Sequence, residues 1–369
     1  MIGDKEPLSH METWQELHNE ENDQAGEQES ALWQALEEGK HAPAAEQLRM
    51  LSGLLEGNIA RFDKAWRGLS LEVRHELIRS LSRTASDDLA MDFSAVFRIA
   101  MEDTDAEIRA ISIAGLGETD DVRLVPAFVR ILQDDPSEAV RAAAAEALAK
   151  YVFLGELEKI HRKLFNTAVL ALRESHLDAS ESPPVRCRAL EATGYTEEHG
   201  VPEMIASAYK SADEAMRVSA VLAMGRSANN EWANIVRREL SSSLPDMRLR
   251  AVRACGELQL AVAIDEVVDL ADDVDQRVRA AALWALGQIG GKAAHRTLAK
   301  YTSAEDETLR TAAEDAVQEM EFFSDDLSDF FGPPGGADNE ADNLWHVPGL
   351  ISQDNDDDDE DQDDDEDWA

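Results

Sequence analysis

The chain has 369 residues, with 76 acidic and 35 basic side chains and a formal net charge of −41. This charge opposes contact with a nucleic-acid backbone, so direct nucleic-acid binding is not expected, and it favours attraction to basic partners. No apolar run approaches the ~18 residues of a membrane-spanning helix, so a membrane protein is not expected either.

The N-terminal region divides into two predicted parts. Residues 1–28 are polar and acidic, which predicts a disordered segment. They lack the basic start and apolar stretch of a signal peptide, so the expected location is cytoplasmic. Residues 29–55 contain the amphipathic stretches ALWQALEEG and APAAEQLRMLSGLLEG. These stretches predict a helical cap, because an array of repeats needs a terminal element with one polar outer face.

From residue 56 the sequence repeats itself around a series of arginines. An apolar residue precedes each arginine, and in the last five repeats alanines follow it at three and six positions. These offsets lie on one stripe of a helix. Recurrence of the same pattern every 20–50 residues indicates a repeat architecture. The last five arginines are spaced by 31 residues, and the series is Arg74, Arg109, Arg141, Arg186, Arg217, Arg248, Arg279 and Arg310.

The ends of the repeated helix also have a pattern. An Asp or Ser stands four residues before every arginine except Arg248, where Leu244 takes the position. Asp and Ser accept hydrogen bonds from first-turn amides, so we expect helix N-caps there. A glycine eight residues after the arginine, as at Gly194 or Gly225, predicts a left-handed helix end. Since a second apolar segment precedes each cap, the predicted unit is helix, tight turn, helix.

The segments DAEIRAISIAGLG, DEAMRVSAVLAMG and DQRVRAAALWALG resemble the second helix of HEAT repeats, especially the short variety found in phycobilisome lyases. The resemblance covers roughly residues 56–320. It implies an all-α fold of the armadillo type, an α-solenoid or superhelix of about eight HEAT-like helix pairs with disordered termini. In such a fold the second helices line a concave groove. The repeating arginines could form a row of ligand-binding cations, but HEAT families use this arginine structurally.

The resemblance also implies two enzymatic alternatives, a bilin lyase and a hydroxylase. Some HEAT-type hydroxylases hold a di-iron centre through several His-Glu pairs, whereas this sequence has the single pair His75 and Glu76. No histidine spacing fits a metal site and no serine or cysteine lies in a nucleophile motif. Cys187 and Cys255 fall within repeated helices and are expected to be reduced. We therefore expect no catalytic residues, no metal and no cofactor.

One repeat is longer than the others. Arg141 and Arg186 are 45 residues apart, 14 more than the regular period. The added residues predict a lengthened first helix and a longer turn ending at Pro183 and Pro184. Such an insertion either marks a local change in curvature or is neutral.

Positions two, five and nine after each repeat arginine should face the groove. In the early repeats these positions are mixed. Arginine and tryptophan anchor interfaces because they combine planar charge-assisted hydrogen bonds with a large contact area. The alternative is a scatter of solvated charges with Trp284 filling the core. In the middle repeats the groove positions are Arg188, Tyr195, Arg226, Arg250, Arg253 and Trp284.

Residues 321–369 contain 19 carboxylates and neither lysine nor arginine, and GPPGG at 332–336 breaks any helix. A disordered acidic tail is therefore predicted. Its segments DDLSDFFG and NLWHVPGLI alternate acidic and apolar groups, which is typical of a segment that orders on docking. The alternatives are packing against the last repeat as a cap, or no role. The apolar residues proposed to dock are Phe330, Phe331, Leu344 and Trp345.

These patterns predict a non-catalytic scaffold or adaptor that binds another macromolecule, most simply a protein, in its groove. Three arrangements of groove and tail stay open. The groove captures an acidic or phosphorylated segment of a partner, or the chain's own tail competes for the groove, or the tail faces outward and recruits a basic protein.

Overall fold

The computed structural model describes residues 26–331, with side chains described over 26–320 apart from residue 45. The chain divides into two units, Met1–Glu321 and Phe322–Ala369. The repeats lie in the first unit. Of the second unit, only the helical backbone of residues 322–331 is described.

Two short helices precede the repeats. Helix α1 spans residues 26–38, and α2 spans Ala45–Leu48 and continues as a 3-10 turn at Arg49–Leu51. The indole of Trp33 in α1 is buried, and the guanidinium carbon of Arg61 lies 4.5 Å from its ring centroid. This contact joins α1 to the first repeat.

Eight helix pairs follow, and the described residues contain no strand. The prediction of an all-α solenoid of about eight pairs is confirmed. The pairs are α3 (Glu56–Gly68) with α4 (Leu71–Asp87), α5 (Ser94–Ala100) with α6 (Ala106–Gly117), α7 (Val125–Asp134) with α8 (Glu138–Glu156), α9 (Arg162–Leu177) with α10 (Pro183–Thr193), α11 (Val201–Tyr209) with α12 (Glu214–Arg226), α13 (Ala233–Glu239) with α14 (Pro245–Glu257), α15 (Ile264–Leu270) with α16 (Gln276–Ile289), and α17 (Gly291–Tyr301) with α18 (Glu307–Phe331).

Every second helix begins immediately after its predicted cap residue. Ser137 and Ser182 are exceptions to the predicted chemistry, because their hydroxyls make no cap hydrogen bond. Ser182 precedes Pro183 and Pro184, which have no amide hydrogen to donate. In the other repeats with a polar cap, the side chain accepts a hydrogen bond from a first-turn amide, and these caps are Ser70, Asp105, Asp213, Asp275 and Asp306.

The prediction that the repeated glycines end their helices in the left-handed conformation is wrong. Gly194 has a φ of −57°, and the later glycines of the series lie inside α12, α14 and α16. A residue with a positive φ comes three positions after the glycine in three consecutive repeats. Its φ is 52° at Ala228, 49° at Gln259 and 71° at Gly290.

The glycines instead allow neighbouring second helices to approach closely. A Cβ added at Gly225 would lie 2.6 Å from the Cα of Ala254, and one at Gly256 would lie 3.0 Å from the Cα of Ala285. Contacts under 3.0 Å are not tolerated by real side chains, so a side chain at Gly225 would push α12 and α14 apart. The glycine series thus sets the spacing of the stacked second helices.

The long repeat places its additional residues in helices. Its first helix, α9, has 16 residues, as the predicted lengthening requires, while α8 before it also extends to 19 residues. The turn from α9 to α10 covers residues 178–182. The aromatic ring of Phe165 in α9 lies against Gly155 of α8, where a Cβ would clash with it.

The buried apolar side chains form two clusters, and α10 contributes to both. The first runs from Leu32 to Ala192, and the second from Cys187 to Ala316. Within the described part of the chain, no helix is both long and apolar enough to cross a membrane. The last helix continues to Phe331, past the array boundary at residue 320 expected from the sequence.

Candidate functional site

The repeat arginines are held by ion pairs along the array. Four of them each pair with a carboxylate in the turn before the next second helix. The Arg109 and Arg248 pairs are two-pronged, with N–O distances of 2.7 to 2.9 Å, the geometry of strong charge-assisted hydrogen bonds. The pairs are Arg74 with Asp103, Arg109 with Asp135, Arg141 with Glu181 and Arg248 with Asp273.

Backbone hydrogen bonds fix the same arginines within their own repeats. In six repeats the arginine Nη1 donates to the carbonyl oxygen six residues earlier, at 2.7 to 3.0 Å. The guanidinium therefore ties its helix to the preceding turn and, where a carboxylate is present, to the next repeat. This geometry supports the structural interpretation of the arginine series over a row of free cations.

The predicted groove residues lie on consecutive second helices. Arg188 belongs to α10, Arg226 to α12, and Arg250 and Arg253 to α14. The fields of the other three arginines reach Arg250, where they disfavour its charged form. We refer to these four residues as the arginine cluster. Tyr195, directly after α10, and Trp284 in α16 flank it.

A buried carboxylate, Glu191, organises one side of the arginine cluster. Its side chain is only 5% exposed and accepts hydrogen bonds from Arg188 Nη1 at 2.5 Å and from the Ser219 hydroxyl at 2.7 Å. Its backbone carbonyl oxygen accepts a hydrogen bond from Arg226 Nη1 at 2.9 Å. Two of the four cluster arginines are therefore oriented by a single residue of α10.

Tyr195 forms an aromatic platform beside the cluster. The guanidinium carbon of Arg226 lies 4.8 Å from the centroid of its ring, within cation–π range. The ring of Phe153 contacts the same tyrosine, with centroids 5.3 Å apart. Burial raises the pKa of the Tyr195 hydroxyl, while Arg226 opposes that shift.

Arg250 lies at the centre of the cluster without an ion pair to any residue that the structure describes. Burial lowers the pKa of its guanidinium, Glu191 opposes this, and Arg188, Arg253 and Arg226 lower the pKa further. An arginine remains protonated in spite of such a shift. Its positive charge is thus partly desolvated and incompletely balanced.

A second acid, the partly buried Glu257, lies next to the same arginines. Burial raises the pKa of its carboxyl to about 6, although Arg226, Arg253 and Arg250 act in the opposite direction. Its Oε2 atom is buried and has no hydrogen-bond partner among the described residues. The carboxylate contacts the backbone of Gly225, where a Cβ would lie 2.8 Å from Oε2.

The last two predicted residues lie at the edge of the cluster. Arg253 is exposed, and its guanidinium carbon is 6.0 Å from the ring centroid of Trp284, at the outer limit of a cation–π contact. One edge of the indole packs over Gly256, where a Cβ would lie 2.6 Å from a ring carbon. Trp284 therefore fills space between α14 and α16 while part of its ring stays accessible.

Sequence reasoning missed the two acids. Glu191 stands five residues after Arg186, and Glu257 stands nine residues after Arg248. These are the same offsets that selected the basic and aromatic residues. The signal was present, but selecting positive and aromatic side chains passed over Glu191, which orients two of the arginines, and Glu257, which lies beside them.

The profile of HEAT repeats matches residues 67–149 and 233–318, and these segments contain six of the eight repeat arginines. These two segments of the chain are therefore HEAT repeats. No curated protein sequence matches it.

Three solved structures illustrate the similarity of this HEAT array to known solenoids. Human deoxyhypusine hydroxylase in complex with glycerol is 18% identical over 72% of this chain and 97% of its own, with a TM-score of 0.34. A designed armadillo repeat protein in complex with the peptide (KR)4 is 22% identical over 53% of this chain and 99% of its own, with a TM-score of 0.34. Importin beta is 14% identical over 78% of this chain and 46% of its own, with a TM-score of 0.38. At these scores, hydroxylase chemistry and peptide binding remain properties of those proteins.

The described part of the array offers neither a metal-binding cluster nor a reactive thiol. Over residues 26–320, no three described His, Cys, Asp or Glu side chains are placed to hold a metal ion. Cys187 and Cys255 are buried free thiols. Burial raises the pKa of Cys255 to about 12 and also raises the pKa of Cys187, so neither is a ready nucleophile.

None of the predicted docking residues of the tail has a described side chain. Phe330 and Phe331 are the last two residues of α18, and their side chains are not described. Leu344 and Trp345 lie outside the described residues. Their docking role stays a prediction.

Proposed function

We propose that this HEAT-repeat protein is a non-catalytic scaffold that binds an acidic or phosphorylated segment of a protein partner on the arginine cluster. The observation that carries the proposal is Arg250. It is partly buried among three other arginines and makes no ion pair with the side chains described over residues 26–320. A desolvated, unpaired charge is costly, so a carboxylate or phosphate placed beside it would remove an existing penalty as well as form new bonds.

The surroundings of Arg250 suit such a ligand. Glu191 orients Arg188 and Arg226, which reduces the side-chain entropy lost on binding. Tyr195 and the accessible part of Trp284 offer flat surfaces on either side, where apolar groups of a bound segment could pack. Aromatic and arginine side chains in this arrangement are typical of interface hot spots.

The proposal is tested with an acidic probe. A fluorescent peptide with the sequence of residues 354–367 is titrated with full-length protein, and binding is followed by anisotropy. Arg250→Gln should lower the affinity for the peptide by about tenfold or more, because a charge-assisted hydrogen bond contributes about 1.5–3 kcal/mol. Arg130→Gln is the matched control, since Arg130 is an exposed arginine on the first helix α7. Equal affinity of the two variants would refute the proposal.

We propose further that the acidic tail competes for the arginine cluster. A flexible connection of about 30 residues gives an effective concentration on the order of millimolar, provided that it spans the distance. Deleting residues 337–369 should therefore raise the affinity of the protein for the added acidic peptide. Added salt should reduce the difference in peptide affinity between the full-length and the truncated protein. Unchanged affinity after the deletion would rule out competition while leaving the arginine cluster as the binding site.

The alternative role of the tail is recruitment of a basic partner. A pull-down with the isolated tail, residues 337–369, distinguishes the two roles. Recovery of basic proteins would favour recruitment, and recovery of acidic proteins alone would exclude it.

The enzymatic alternatives have direct tests as well. Iron bound to the purified protein would support the hydroxylase alternative, and a new absorbance band after incubation with a bilin would support the lyase. The non-catalytic proposal is supported by the buried cysteines and by the structural engagement of the repeat arginines. The two free cysteines also support the proposed cytoplasmic location.

A further inference from the structure

The series of arginine ion pairs is interrupted in the middle of the array. Three of the carboxylate partners, Asp103, Asp135 and Asp273, stand six residues before the arginine of the next repeat. For Arg186 the equivalent position, six residues before Arg217, holds a serine, Ser211. Among the side chains described over residues 26–320, no carboxylate pairs with Arg186. Its Nε donates to the carbonyl oxygen of His176 at 2.9 Å.

A cavity of about 510 Å³ lies at this interruption, between α9, α10, α11 and the turn before α12. Both Arg186 and Arg173 line it, together with Ser207 and Ser211. We call it the Arg173–Arg186 cavity. It therefore presents two guanidinium groups and two serines at the place where other repeats supply a carboxylate.

Arg173 is the second cation of this cavity. It forms neither an ion pair nor a hydrogen bond with any residue in the described range. Its Nη2 lies against Gly200, where an added Cβ would be 3.0 Å away. Gly200 has a φ of 92°, so both the conformation and the close approach of Arg173 favour glycine there.

We propose that the Arg173–Arg186 cavity binds a phosphate group. Two guanidinium groups provide paired N–H donors that match a phosphate, and the serine hydroxyls can donate to its remaining oxygens. The bound oxyanion would replace the Asp carboxylate that completes the ion pair in other repeats. It would thereby link α10 to the turn before α12.

The other ionisable groups at the cavity leave its charge positive. Glu203 lines it, is exposed, and forms no ion pair within the described residues. His176 is buried, and its Nδ1 lies 3.0 Å from the carbonyl oxygen of Arg186. Burial lowers the pKa of His176, so the imidazole is neutral at neutral pH. Two positive charges thus face a single negative one.

Ser211→Asp is the decisive substitution, because it restores the carboxylate found in other repeats. The new aspartate should pair with Arg186 and accept the amide hydrogen of Asp213, which the Ser211 hydroxyl accepts now at 3.1 Å. Ser242→Asp is the matched control. Ser242 stands at the equivalent position for Arg217, and its hydroxyl accepts the amide hydrogen of Leu244.

The full-length protein is titrated with inorganic phosphate at constant ionic strength, by calorimetry and by thermal unfolding. Wild type and Ser242→Asp should bind phosphate alike, with a saturable rise in Tm. Ser211→Asp and Arg173→Gln should bind at least tenfold more weakly, whereas Glu203→Gln should bind more tightly. Arg250→Gln should remove only the phosphate binding of the arginine cluster and leave unchanged the binding that Ser211→Asp removes, which separates the two sites.

Loss of phosphate binding in Ser211→Asp would not reflect unfolding, because this variant is expected to unfold at a higher temperature than wild type. Absence of saturable binding to wild type, or equal binding to wild type and Ser211→Asp, would overturn the proposal. A phosphoserine peptide provides the second arm. The peptide is titrated into Arg250→Gln, which lacks binding at the arginine cluster. If the peptide binds this variant more tightly than inorganic phosphate does, the source is a modified protein, and if it binds more weakly, the source is a small phosphate; failure of both contradicts the site.

Discussion

At the scale of single residues, two consecutive repeats hold a non-glycine residue with a positive φ at a position where the repeat after them has glycine. Ala228 and Gln259 occupy the same place in their repeats as Gly290. The left-handed conformation costs residues other than glycine roughly 1–2 kcal/mol. The turns after α12 and α14 therefore carry a local strain that the turn after α16 avoids.

Gln259→Gly should relieve this strain and raise the free energy of unfolding by roughly 1 kcal/mol. Gln259 is exposed, so little packing is lost. Urea denaturation measures the change, and Gln259→Ala is the control because alanine keeps the strain. If both variants are equally stable, the backbone conformation is not the cause.

Glu257 gives the protein a defined response to pH. Its pKa of about 6 lies above the ordinary value of 4.5, so the folded chain holds this proton more tightly than the unfolded chain. The protonated Glu257 carboxyl therefore adds to the free energy of unfolding. This contribution is complete below about pH 4.5 and is lost as the pH rises through 6. Burial of the charged form is the physical cause.

Glu257→Gln should therefore stabilise the protein at pH 8 by roughly 2 kcal/mol and have little effect at pH 4. Unfolding curves at the two pH values measure the difference. Glu231→Gln is a control on an exposed carboxylate. A gain of equal size at both pH values would show that the effect comes from packing and not from ionisation.

At the scale of helices, the ion pairs join each second helix to the turn that starts the next one. Arg248 of α14 and Asp273, before α16, have side chains only 11% and 6% exposed. The hydrogen bonds from Arg248 are the main cause of the lowered pKa of Asp273. Asp273 also accepts the amide hydrogen of Asp275, at 2.8 Å, and thereby shapes the helix start.

Arg248→Met should destabilise the protein by about 3 kcal/mol, because it leaves a buried carboxylate without its partner. The double variant with Asp273→Asn should recover part of this loss. A double-mutant cycle measured by urea denaturation gives the coupling energy. Additive losses would mean that the two side chains do not support each other.

The sequence predicted the helices well and the reasons for their ends less well. The arginine and the residues at fixed offsets from it located every second helix, because residue type and offset repeat together even where the repeats differ in length. The role of Gly225 was missed because a close approach to Ala254 depends on a neighbouring repeat. Glu191 and Glu257 were missed for a similar reason, since burial of a carboxylate follows from packing that one repeat does not reveal.

At the scale of the whole array, the two apolar clusters that share α10 divide the buried core. Repeat proteins derive their stability from each repeat and its nearest neighbours, so a defect need not spread along the array. The division at α10 follows the long repeat. Local defects are therefore expected to act mainly within their own cluster.

Leu77→Ala lies in the first cluster and Leu283→Ala in the second, and both leucines are fully buried. Each variant should lose about 2–5 kcal/mol of local stability. Hydrogen exchange followed by mass spectrometry should show faster exchange mainly in the half that carries the substitution. Uniformly faster exchange in both halves would instead indicate one cooperative unit.

The close glycine contacts set the spacing of the second helices, and this spacing determines which residues of an extended ligand can contact successive helices. Packed helices are about 8–10 Å apart, and an extended chain advances about 3.3 Å per residue. One helix step thus matches about three residues of an extended segment. A segment with a carboxylate at every third position would be held in a single alignment, whereas an unbroken acidic run such as residues 356–361 offers equivalent charges in every alignment and could slide.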